Sequence, residues 1–108
     1  MIIGVPKEIK PQEYRVGLVP ASVQELTALG NIVLVEQGAG SGIGISDDDY
    51  RHAGAEIVDT ADEIFSKAEL IVKVKEPQPI ECKRLREGQI LFTYLHLASD
   101  PQQTRLLK

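Results

Sequence analysis

Short runs of apolar, β-branched residues alternate along this chain with segments whose apolar positions recur at helical spacing. Five runs read as strands: Ile2–Val5, Ile32–Val35, Glu56–Val58, Leu70–Val74 and Ile90–Leu95. Most are continuously apolar rather than alternating, the pattern of strands covered on both faces. Pro20-Ala21-Ser22 opens a helical segment in which Val23, Leu26 and Leu29 share one face, and Gly30 stands where a left-handed cap belongs. Ser46 precedes Asp47, Asp48 and Asp49 in a segment that stops at Gly54, while Thr60 to Glu63 has capping-box spacing ahead of Ile64 and Phe65. Two more helices are expected, one from Ile80 to Leu85 and one from Asp100-Pro101 into the last residues. Strand alternating with helix predicts an α/β fold, a doubly wound parallel sheet of the Rossmann or flavodoxin type.

At 108 residues the chain can bury one core and has little room for a second domain. Its 43% hydrophobic and 26% charged residues are those of a globular protein, and no apolar run reaches the roughly 18 residues a membrane span needs. The balance of 12 Lys+Arg against 16 Asp+Glu, net charge −4 and without a basic block, lacks the electrostatic footprint of nucleic-acid binding. The opening Met-Ile-Ile-Gly-Val-Pro-Lys has none of the features of a signal peptide, and the single cysteine, Cys82, cannot form an internal disulfide. A cytoplasmic protein is expected. One Cys and two widely separated His cannot assemble a tetrahedral zinc site, so no metal site is expected.

In an open parallel sheet, ligands bind beyond the carboxyl ends of the strands, so residues just past each strand are the first candidates for chemistry. After the first strand comes a polar loop with Lys7, Glu8, Lys10, Glu13, Tyr14 and Arg15; Lys75-Glu76-Pro77 follows the fourth; the fifth ends in Tyr94-Leu95-His96. Arg15, Lys75 and His96 therefore share one edge. A guanidinium can clamp a carboxylate, an ammonium can polarise a carbonyl, and an imidazole can exchange a proton near neutrality. Together they suit a small α-keto or α-amino acid. Taken singly, Arg15 and Lys75 are as expected of solvated surface cations, and Lys73 on the same strand is read as one, a neutral control for Lys75. For His96, a core histidine bonded to a backbone carbonyl is as well supported by the local sequence as a proton-transfer role.

The remaining candidates favour structural roles. His52 lies in a short polar helix and is read as surface, and Cys82, between Glu81 and Lys83, as a structural thiol. Gly38-Ala39-Gly40-Ser41-Gly42-Ile43-Gly44 invites comparison with a phosphate loop, but no G-x-G-x-x-G or Gly-Lys-Ser/Thr occurs in it. The acidic helix start after it would repel a pyrophosphate. A flexible structural loop is expected, with no cofactor-binding residue in this chain.

Four segments carry a family resemblance: Met1 to Glu8, Glu13-Tyr14-Arg15-Val16-Gly17-Leu18-Val19-Pro20, Val72-Lys73-Val74-Lys75-Glu76-Pro77, and Tyr94-Leu95-His96-Leu97-Ala98. In this order they resemble the amino-terminal part of the alanine dehydrogenase family, over essentially the whole chain. The resemblance implies reversible NAD-dependent oxidative deamination of L-alanine to pyruvate and ammonia by a homo-oligomer. It implies that Arg15 and Lys75 hold the substrate carboxylate and carbonyl and that His96 transfers protons. It also implies that residues 1–108 are part of a substrate domain whose NAD-binding domain and catalytic aspartate lie outside this chain. The soluble NAD-binding portion of a proton-translocating transhydrogenase is the related alternative, disfavoured by His96. An inactive stand-alone α/β fragment and a phosphoacceptor receiver are the others, the receiver lacking the acidic cluster after the first strand.

Overall fold

In the computed structural model, which describes residues 1–9, 13–75 and 78–93, five strands lie parallel in one sheet. They are β1 (Ile2–Val5), β2 (Ile32–Glu36), β3 (Glu56–Val58), β4 (Leu70–Lys73) and β5 (Ile90–Thr93), in the spatial order β3-β2-β1-β4-β5. Four helices connect them: α1 (Pro20–Ala28), α2 (Asp47–His52), α3 (Ala61–Lys67) and the single turn α4 (Pro79–Cys82). Strand alternation sends Ile3, Val5, Val33, Val35 and Val72 to one face, where Val23 of α1 and Tyr50 of α2 cover them. Leu34, Ile71 and Leu91 point to the other, against Ile64 and Phe65 of α3. The expected doubly wound sheet is therefore present, with a core on each face.

The helix ends follow their punctuation. Ser46 accepts the Asp49 N–H while the Asp49 carboxylate accepts the Ser46 N–H, and that bond holds the Asp49 carboxyl below its usual range. Gly30 takes the left-handed conformation past α1, with φ 93°. Leu29 departs from expectation, being 79% exposed while Val23 is fully buried. Each step of three residues rotates by about 300°, so two such steps carry Leu29 about 120° away from Val23 and off the packed stripe. Helix α4 begins at Pro79 rather than Ile80 and is shorter than expected, while positions 94 and 95 and the helix expected from Asp100 lie outside the described residues. Among the described residues no helix is long and apolar enough to cross a membrane.

The strand order places the candidate site. From β1 the chain moves outward to β2 and β3, then returns to the opposite side of β1 with β4, which pairs Ile3 with Leu70 and Gly4 with Ile71. The carboxyl ends of β1 and β4 thus flank the point where the winding reverses, the place where ligands enter such sheets.

Candidate functional site

Beyond β1, Pro6 is buried and the Lys7 N–H donates to Glu36 Oε1 at 2.8 Å, tying the strand end to β2. The loop then crosses to β4 at Gly17. A Cβ there would stand 2.4 Å from the Val72 carbonyl oxygen, so only glycine lets the two backbones approach this closely. One residue on, the Leu18 carbonyl accepts the buried Tyr50 hydroxyl at 2.7 Å, and burial pushes that phenol up to about 12. Anchored this way, the loop sets Arg15 beside the end of β4. Arg15 borders two concavities, one of about 290 Å³ toward Lys7, Tyr14 and the glycine loop, the other of about 350 Å³ toward Val74 and Ser22.

Lys73 corrects the expectation of a solvated strand lysine. Its side chain is 1% exposed, with Nζ 3.1 Å from Glu8 Oε1 and 3.0 Å from Glu81 Oε2. Because β4 is an interior strand covered on both faces, a lysine pointing into that cover needs partners. Glu8 does more than pair: its Oε2 accepts the Val74 N–H at 3.1 Å and its Oε1 the Lys75 N–H at 3.2 Å. One buried carboxylate thereby fixes the backbone that carries Lys75. Glu81 in turn accepts the Gln78 N–H at 2.9 Å, which anchors α4 to the same cation.

Arg15 and Lys75 meet through Glu13. The Glu13 carboxylate accepts Arg15 Nε and Nη2, each at 3.0 Å, and the Arg15 backbone N–H at 2.9 Å. Lys75 Nζ stands 4.0 Å from the same carboxylate, whose side chain is 5% exposed while that of Arg15 is 58% exposed. The Arg15 side-chain hydrogen bonds hold the Glu13 carboxyl below its usual range, and the guanidinium is raised reciprocally. Two of the three predicted site residues are thus brought to one place. The third, His96, lies outside the described residues, although β5 ends at this edge with Thr93 in register with Lys73.

The glycine loop is held by its own hydrogen bonds. Its Gly38 N–H donates to Asp47 Oδ1 at 2.9 Å, and its chain closes into a 3-10 turn over Ser41–Ile43. The Gly38 N–H is thus committed to a carboxylate, and the loop is a hydrogen-bonded turn rather than a slack connection. Among the described residues no cluster of His, Cys, Asp or Glu could hold a metal ion. His52 is exposed, as expected of a surface residue, and Cys82 is partly buried.

A family model described as "Alanine dehydrogenase/PNT, N-terminal domain" matches residues 4–108. The chain belongs to that family. Within the alanine dehydrogenase/PNT family it is 55% identical over 107 residues to an alanine dehydrogenase of Mycolicibacterium smegmatis, covering 99% of this chain and 29% of that protein. It is 51% identical over 108 residues to that of Bacillus subtilis, covering 100% of this chain and 28% of that protein. A solved L-alanine dehydrogenase superposes with a TM-score of 0.90 at 51% identity, covering 99% of this chain and 29% of the solved one. A transhydrogenase from Sinorhizobium meliloti superposes with a TM-score of 0.88 at 33% identity, covering 99% and 32%. The chain thus spans less than a third of the length of these relatives. Backbone shape is shared across both branches of the alanine dehydrogenase/PNT family, and it is sequence identity that ranks the alanine dehydrogenases ahead.

Glu8, Glu13 and Lys73 escaped the sequence reading as site residues. Lys73 carried a usable signal: a charge inside the apolar run Leu70-Ile71-Val72-Lys73-Val74 of a two-sided strand is buried and must be paired. Glu8 and Glu13 carried none, since their partners are distant in sequence or belong to a loop without periodicity.

Proposed function

We propose that this chain is the substrate-binding portion of an alanine dehydrogenase, acting on L-alanine and pyruvate in a reversible oxidative deamination. The observation that carries the proposal is the Arg15–Glu13–Lys75 cluster past the carboxyl ends of β1 and β4, at the winding reversal of the sheet, where Arg15 borders both concavities. Identity above 50% with alanine dehydrogenases supports the choice of amino acid.

In this account Arg15 binds the substrate carboxylate, and Lys75 directs its ammonium at the carbonyl oxygen of pyruvate, stabilising negative charge there as ammonia adds. His96 gives and takes the protons of the imine and carbinolamine stages, to and from nitrogen and oxygen. NAD, if bound, would supply the hydride acceptor for the alanine Cα; since these 108 residues cover under a third of the relatives' length, we assign its site to the part they do not cover.

Arg15→Lys in the complete enzyme tests the assignment. A lysine keeps the charge but loses the planar fork, so kcat/KM for pyruvate should fall on the order of tenfold or more. Steady-state kinetics read this directly, and unchanged kcat/KM would return Arg15 to the solvated surface.

A further inference from the structure

Glu13 is the least exposed member of the Arg15–Glu13–Lys75 cluster, and nothing in the proposed chemistry calls for it. A guanidinium offers two bidentate edges, and Glu13 occupies one of them, through Nε and Nη2. The opposite edge, Nη1 with the second Nη2 proton, has no partner among the described residues and belongs to the more exposed side chain. Without Glu13, an arginine on a loop would sample many rotamers, and a substrate carboxylate would have to order it on binding. The same carboxylate lies 4.0 Å from Lys75 Nζ, so one anion orients both cations.

We propose that Glu13 is a positioning residue, holding Arg15 by its inner edge so that its outer edge and Lys75 face a substrate monocarboxylate. This rests on the assignment of Arg15 and Lys75 as substrate ligands. Glu13 keeps its charge to lower pH than an ordinary carboxyl, so the clamp persists through the neutral range and is lost as acidification protonates it.

The test is a two-residue cycle in the complete enzyme, with Glu13→Gln, Arg15→Lys and both together, measuring KM for pyruvate, kcat and melting temperature. Glu13→Gln should raise KM on the order of tenfold and change kcat less, the scale of effect seen for residues that orient a ligand. In the Arg15→Lys background, which has no planar fork to orient, Glu13→Gln should raise KM less than threefold further. A merely structural glutamate would impose the same fold-change in both backgrounds, and that result would overturn the proposal. If Arg15→Lys raises KM while Glu13→Gln leaves it unchanged, the proposal fails and the substrate assignment stands. If Arg15→Lys itself changes nothing, both fall. Should Glu13→Gln not fold, Glu13→Asp keeps the charge but loses reach, and an unchanged KM in that variant would equally overturn the proposal.

Discussion

Lys73→Ala is expected to destabilise the folded protein by about 3–5 kcal/mol, the usual cost of removing one partner from a buried ion pair. The side chain sits between two carboxylates that are themselves buried, Glu8 at 3.1 Å and Glu81 at 3.0 Å, and no other cation among the described residues forms a salt bridge with either. Removing it leaves two charges facing each other without water. Lys67→Ala provides the comparison: that lysine forms an i,i+4 pair with Glu63 at 3.6 Å with both side chains substantially exposed, so its loss should stay within about 0.5 kcal/mol. Urea titration of the two variants against the parent protein separates them. Equal, small changes would mean that Lys73 is solvated after all. Because Glu8 also accepts the Val74 and Lys75 N–H groups, preparations of Lys73→Ala that do fold should bind pyruvate more weakly as well.

His96→Ala in the complete enzyme is expected to lower turnover by roughly 10²- to 10⁴-fold, the contribution of a positioned general acid/base. Reductive amination and its reverse move protons on and off nitrogen and oxygen in both directions, which suits a group titrating near neutrality. The expected signature is a loss of turnover at unchanged melting temperature. A histidine packed as a core residue would give the opposite signature, a lower melting temperature with turnover per folded molecule retained. Both quantities should come from one preparation, so that unfolded protein is not counted as inactive enzyme.

How far the site could be read from sequence depended on the range of the interactions involved. Ile2–Val5 and Glu56–Val58 were legible to the residue because the β-branched residues at the heart of each are bounded by turn and loop residues. Capping spacing located α2 and α3 because a cap is settled within a few residues of sequence. Arg15 and Lys75 were legible because position past a strand end in this topology is itself informative. The Glu8–Lys73 pair joins residues 65 apart, and no local pattern marks it. Lys73 was misjudged for a related reason: its neighbours Val72 and Val74 announced a buried strand, while its charge was weighed by the average behaviour of lysine rather than by the strand that carries it. Glu13 looked like one more acid in a polar loop, and only the folded geometry sets it against both cations.

The central claim is that Arg15 and Lys75 receive a small α-keto acid. A crystal structure of the complete enzyme with pyruvate tests it most directly. The pyruvate carboxylate is expected within hydrogen-bond distance of the outer edge of the Arg15 guanidinium, its ketone oxygen on Lys75 Nζ, and Glu13 still on the inner edge. Pyruvate bound away from both cations, with Arg15 and Lys75 left to solvent, would contradict it.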